Sequence, residues 1–177
     1  MTSKQNIFKV VTAGDGAVGK TTLLHRYIKG KFLAHTRMTI GVEFFLKEMR
    51  YKTHDIILQL WDFGGQDQFR FLHHHYIKGC VGALLMFDLT RPITLKNLEE
   101  WVELCRWEDP DLPIIFLGTK LDLVENMNTN DDLALKYKKK YKLFDYLKTS
   151  SKTGENVDKV FELLKIELAE RLIEGRE

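Results

Sequence analysis

Cysteine is almost absent from this chain, with two residues in 177, Cys80 and Cys105. Both lie in apolar surroundings and neither has a C-x-x-C partner, so a reducing, cytoplasmic setting is expected. An excess of charge of one sign is lacking too. Lys and Arg number 27 against 25 Asp and Glu, a formal net charge of +2. No basic stripe dominates, so nothing points to nucleic acid. No apolar run approaches the ~20 residues needed to span a bilayer. The start, Met1-Thr2-Ser3-Lys4-Gln5-Asn6, leads into a strand pattern with no apolar leader. Internal repeats, linkers and low-complexity tracts are missing as well. What remains is ordinary for a globular protein, 44% apolar and 29% charged. Residues 1–177 are read as one domain, long enough for a well-buried core.

Apolar segments alternate between strand-like and helix-like periods. Strands are predicted over 6–13, 41–50, 54–61, 81–88, 113–119 and 144–148, and helices over 19–29, 67–77, 92–107, 129–141 and 157–174. Val81–Phe87 and Ile114–Leu117 are apolar on both faces, as central strands of a covered sheet should be. Only Tyr51-Lys52-Thr53 separates the second and third strands, which predicts a hairpin and one antiparallel edge strand. Pro92 suits a first helical turn, and Asn156 suits an N-cap ahead of the stripe Val157, Val160, Phe161, Leu164 and Leu168. The order βαββαβαβαβα specifies a three-layer α/β domain with a six-stranded, mostly parallel sheet and about five helices.

The densest signal is Gly14-Asp15-Gly16-Ala17-Val18-Gly19-Lys20-Thr21, placed between a strand pattern and a helix pattern. Glycines let the backbone curl close to phosphate oxygens, so that successive N–H groups form an anion nest. The following helix adds the positive end of its dipole. Lys20 supplies a mobile charge for β and γ phosphates, and the Thr21 hydroxyl can ligate Mg²⁺. Strand before and helix after make this a phosphate loop for a nucleoside triphosphate, and Thr22 continues it.

The base is chosen elsewhere. Gly118-Thr119-Lys120-Leu121-Asp122 ends an apolar strand, where ligands of open α/β sheets bind. A carboxylate at Asp122 accepts both N1–H and the exocyclic N2–H of guanine, a donor pair that adenine lacks. Leu123 follows it. Thr149-Ser150-Ser151-Lys152 comes after another strand, and the backbone N–H groups there suit the guanine oxygen. Asp62 ends the run Ile56–Trp61, where a carboxylate would meet the Mg²⁺ shell. Gly65 can bring its N–H to a γ phosphate, and Gln66 follows where an attacking water must be oriented. Thr39, in Arg37-Met38-Thr39-Ile40-Gly41, can close its hydroxyl and carbonyl on Mg²⁺ and the γ phosphate. The metal set is thus Thr21, Thr39 and Asp62, and the catalytic set is Gln66, Lys20 and Gly65. Two other readings are a module that holds GTP without hydrolysing it and a P-loop ATPase or kinase. Gln66 with Gly16 argues against the first, and Asp122 with Ser150-Ser151-Lys152 against the second.

Over nearly all its length the chain resembles the Ras superfamily of small GTPases, most of all the Rab family. The Rab-like stretches are Ile40-Gly41-Val42-Glu43-Phe44, Leu58–Asp62, Phe69-Arg70, Tyr76–Cys80, Leu85–Thr90 and Asn97–Trp101. The resemblance implies a GTP/GDP switch with Mg²⁺ and slow hydrolysis, with a G domain as its fold. It implies that Phe32 flanks the guanine, that residues 32–40 and 63–77 are the two switches, and that Gly16 and Gly65 leave room for the transition state. It also implies effectors, a GTPase-activating protein and an exchange factor acting on those loops of a monomer. Three features depart from the Rab pattern. Thr119 stands where most relatives carry Asn, though Rho-like members also carry Thr. Phe63-Gly64 replaces Thr-Ala, giving an Arf-like Gly-Gly-Gln. No cysteine follows Cys105, so a prenylated tail is not expected, and membrane association is weak or indirect at most. Arg37 reads as a solvated loop arginine, the catalytic charge coming from a partner. His73-His74-His75 point in different directions on a helix and read as surface, not metal ligands. The lysines between 136 and 142 read as a solvated helix end.

Overall fold

Burial rises from the outer strand of the sheet toward its centre. In the computed structural model, which describes residues 6–35, 37, 39–64, 74–124 and 131–176, six strands lie in the order β2-β3-β1-β4-β5-β6. They are β1 (Asn6–Ala13), β2 (Val42–Tyr51), β3 (His54–Phe63), β4 (Gly82–Asp88), β5 (Ile114–Thr119) and β6 (Asp145–Lys148). Every residue of β4 and β5 is buried, as the uninterrupted apolar runs demand of strands covered on both faces. The outer strand β2 instead alternates between exposed and half-buried residues. It pairs antiparallel with β3 through a tight turn in which Lys52 takes a positive φ of 52°. All other pairings are parallel.

Side-chain alternation divides the core in two. Leu84 and Met86 of β4 and Ile115 and Leu117 of β5 point to one face, with Phe161, Leu164 and Leu168. Ala83, Leu85, Phe87, Ile114 and Phe116 point to the other, with Leu98, Trp101 and Val102. Helices α1 (Lys20–Lys29) and α4 (Val157–Leu172) cover the first face, and α2 (Leu98–Cys105) and α3 (Asp131–Lys140) serve the second. Three layers follow from a period of two in the strands and 3.6 in the helices. Residues 74–76 form one helical turn at the end of the predicted helix 67–77, whose earlier residues lie outside the described ones.

Two local expectations are corrected. The helix predicted over 92–107 is split into a 3₁₀ segment, Pro92–Leu95, and α2. The Thr94 hydroxyl donates to the Arg91 carbonyl (2.7 Å) and accepts from the Asp88 amide (3.0 Å), which holds the tighter turn. Asn156 precedes α4 but does not cap it with its side chain. Its φ is +58°, and its amide donates to the Lys148 carbonyl at 2.8 Å, tying the helix start to β6.

Candidate functional site

The carboxyl ends of the parallel strands meet at one end of the sheet, and the loop Gly14–Thr21 crosses them. Gly14 makes this crossing possible. Its φ is +133°, and a Cβ there would sit 2.3 Å from the Met86 carbonyl oxygen. Gly14→Ala is therefore expected to lower the unfolding free energy by about 1–3 kcal/mol, read from urea unfolding. An unchanged midpoint would contradict that close approach. Ala17 is also in the left-handed region at φ 60°, the kind of turn from which backbone anion nests are built. Lys20 is 6% exposed, and its ammonium donates to the carbonyls of Gly14 (2.7 Å) and Asp15 (2.8 Å). Burial lowers its pKa to about 8 against the pull of Asp62 and Asp15. Such a cation is under-solvated and gains from an anion placed beside it.

The residues expected at the base lie around one cavity. A cavity of about 240 Å³ is lined by Ala17, Val18, Gly19, Thr22, Phe32, Thr119, Lys120, Asp122, Leu123, Ser151 and Lys152, together with Leu33 and Ala34. Ser150 lies just behind it, fully buried, with its hydroxyl donating to Asp122 Oδ1 at 2.6 Å. That bond fixes the plane of an otherwise exposed carboxylate. Leu33 and Ala34 fall within the expected first switch, 32–40, but no motif marked them as lining this cavity. Thr119 donates its hydroxyl to the carbonyls of Val18 (2.5 Å) and Phe87 (2.9 Å). One proton shared between two carbonyls makes it a strap between the loop and the sheet. The Lys120 ammonium donates to the Ala17 carbonyl (3.0 Å) and pairs with Asp88 (2.7 Å).

The predicted metal residues also converge, from three separate elements. The Thr21 hydroxyl bonds Asp62 Oδ2 and lies 2.8 Å from the Thr39 hydroxyl. Thr39 donates to the same carboxylate oxygen at 3.3 Å. The other oxygen of Asp62 is held by Thr12 across the β1–β3 register at 2.9 Å. This is an all-oxygen set with one carboxylate. Among the described residues no cluster of three His, Cys, Asp or Glu could hold a metal. Such a sparse hard-donor set fits Mg²⁺ completed by water and phosphate, not an all-protein cage. Thr21 and Thr39 also line an open cavity with Arg37, which is exposed. Gly64 brings the end of β3 against this loop. Its N–H donates to the Gly41 carbonyl (3.0 Å), and a Cβ there would lie 2.6 Å from the Thr39 carbonyl. Gly65 and Gln66, the next two residues, lie outside the described ones.

The loop is also braced from outside by residues that belong to none of the nucleotide motifs. Trp101 donates its indole N–H to Asp15 (2.8 Å), and the Asn97 amide reaches the same carboxylate at 3.2 and 3.3 Å. Asp88 is fully buried and accepts from Thr90, Arg91 and Lys120. A carboxylate closing an all-apolar strand was the one available signal, because a buried charge requires a cation. His74 is exposed and lies edge-on to Trp107, with ring centroids 4.7 Å apart. His75 is exposed too.

The family model of the Ras family matches residues 9–170. The chain is 36% identical over 156 residues to the Ras-related protein RABA6b of Arabidopsis thaliana, covering 88% of this chain and 68% of that one. It is 35% identical over 162 residues to the Ras-related protein Rab-2B of Dictyostelium discoideum, covering 91% and 80%. It is also 35% identical over 157 residues to Rab-11A of the same organism, covering 88% and 73%.

Proposed function

We propose, for a chain that belongs to the Ras family of small GTPases and is Rab-like within it, the following division of labour among its residues. The protein binds GTP and GDP with Mg²⁺, hydrolyses GTP, and switches conformation between the two states. The phosphates lie along Gly14–Thr21, the guanine lies between Phe32, Thr119, Lys120, Asp122, Leu123 and Ser150–Lys152, and the γ phosphate faces Thr39, Gly65 and Gln66. One observation carries this reading. Phosphate-loop and base-side residues line the same cavity, and the helix start that directly follows Gly19 of that cavity carries the buried Lys20 and the Thr21 hydroxyl of the oxygen cluster with Thr39 and Asp62.

Thr21 and Thr39 would hold Mg²⁺, with Asp62 behind them; the ion supplies charge neutralisation on the phosphates. In hydrolysis a water oxygen bonds to the γ phosphorus while the bridging oxygen leaves on GDP. Gln66 orients that water, Gly65 donates its N–H to the γ phosphate, and Lys20 faces the charge that builds on the bridging oxygen. Loss of the γ phosphate removes the partners of Thr39 and Gly65. The contacts of Gly64 with Gly41 and Thr39 then let both loops relax together. Gln66→Leu is expected to slow single-turnover phosphate release severalfold and to leave GTP affinity within twofold. Unchanged release would remove Gln66 from the mechanism.

Effectors, an activating protein and an exchange factor engage residues 32–40 and 63–77. An exposed aromatic row supports this surface. Phe44, 57% exposed, lies 5.7 Å from the half-buried Trp61, which lies 5.7 Å from the exposed Tyr76. Aromatic rows of this kind are enriched at the centres of protein interfaces. Cys80 and Cys105 are both free thiols, which supports a reducing cytoplasmic setting. No helix among the described residues is long and apolar enough to cross a membrane.

A further inference from the structure

The phosphate loop must hold a backbone shape that an alanine resists, and something outside it does the holding. Ala17 sits in the left-handed region, and a trans peptide directs its C=O away from its N–H. For N–H groups to face the phosphates, the carbonyls of Gly16 and Ala17 must therefore face the protein. Arg91 meets them there. Its Nη2 donates to the Gly16 carbonyl at 3.3 Å and to the Ala17 carbonyl at 3.1 Å. Its Nε donates to Asp88 at 2.8 Å, and Lys120 joins the same carboxylate oxygen at 2.7 Å and the same Ala17 carbonyl at 3.0 Å.

We propose that Arg91 is a positioning residue of the phosphate loop. Anchored on buried Asp88, its guanidinium holds the outward carbonyls of Gly16 and Ala17 and so aims the N–H groups of Ala17 and Val18 at the phosphates. The geometry suits arginine alone, because one planar fork reaches a carboxylate and two carbonyls at once. A cation on a peptide oxygen also polarises the N–H at the other end of that peptide, strengthening its bond to an anion. This is not an ordinary surface ion pair. The Arg91 side chain is 42% exposed, but that of Asp88 is 0% exposed. Burial alone would raise the Asp88 carboxyl, yet bonds from Lys120, Thr90 and Arg91 hold it below the usual carboxylate range, so the anchor stays ionised. The Arg91 backbone is fixed as well, its N–H on the Asp88 carbonyl at 2.9 Å and its carbonyl on Thr94.

The inference rests on reading Gly14–Thr21 as the phosphate loop, and the experiment separates the two. GDP release is timed in the full chain for the original protein, Arg91→Ala, Arg91→Lys and Lys20→Ala, with amide resonances of the GDP complexes recorded alongside. Arg91→Ala is expected to release GDP about tenfold faster, the order of one charge-assisted hydrogen bond. The Ala17 and Val18 amide protons should move upfield while those of Ser150, Ser151 and Lys152 stay put. Arg91→Lys should keep most of the fast release, since one ammonium, like that of Lys120, joins Asp88 to the Ala17 carbonyl without also holding the Gly16 carbonyl. Release within twofold of the original, full restoration by lysine, or shifts spread equally over Ser150–Lys152 would each overturn the positioning role. If Lys20→Ala speeds release and Arg91→Ala does not, only this inference fails. If neither speeds it, the phosphate-loop reading fails.

Discussion

Lys20→Ala is expected to weaken GTP and GDP binding by about a thousandfold while leaving the nucleotide-free fold nearly as stable as before. The two halves of that expectation have one cause. Lys20 is buried, and desolvation lowers its pKa to about 8, so its charge costs the empty protein something that only partial bonds to Gly14 and Asp15 offset. Alanine removes those bonds and that cost together. In the complex the same ammonium faces two phosphates, where each charge-assisted contact contributes about 1.5–3 kcal/mol. Thermal unfolding with and without GDP separates the two states, because a ligand stabilises the fold only in proportion to its affinity. The variant should melt within a few degrees of the original when empty and gain almost nothing from millimolar GDP. A full GDP-induced shift in the variant would show that Lys20 does not meet the phosphates.

The loop and the central strands were legible because their signals are local. A glycine-spaced loop between two hydrophobic periods needs no tertiary knowledge, and β4 and β5 announce their burial in composition. The split of the helix predicted over 92–107 was not legible. Asn97 is drawn toward Asp15, 82 positions away in sequence, and Thr94 is engaged by Asp88. The ring of Trp101 is core, but its indole nitrogen braces the phosphate loop, a second role that apolar spacing does not reveal. Arg91 had no local mark at all, since an arginine three residues after an aspartate looks like any surface pair. Residues proposed to meet the ligand carry local motifs, whereas residues that brace them became visible only through long-range contacts.

Asp122→Asn is expected to exchange the preferred base from guanine to xanthine. The Asp122 carboxylate follows Lys120, whose positive φ of 61° opens the 3₁₀ segment Leu121–Leu123. That segment is pinned by the Leu121 amide on the Thr149 carbonyl at 3.0 Å. Ser150 occupies one carboxylate oxygen from behind at 2.6 Å, so a small side-chain rotation cannot rescue a mismatched partner. With aspartate, both N1–H and N2–H of guanine find an acceptor. With asparagine, the amide N–H₂ faces the guanine N2–H₂, donor against donor, and the loss amounts to about 3–6 kcal/mol, or roughly 10²–10⁴-fold in affinity. Xanthine carries a carbonyl oxygen at that carbon, which accepts from the new amide while N1–H still finds the remaining oxygen. Competition against labelled nucleotide should therefore rank GDP far above XDP and ADP for the original protein, and XDP above GDP for the variant. ADP should stay excluded from both, because neither side chain offers adenine a matching pair. A variant that loses GDP without gaining XDP would mean that Asp122 shapes the pocket without reading the base, and the choice of guanine would then fall to the backbone amides of Ser150–Lys152.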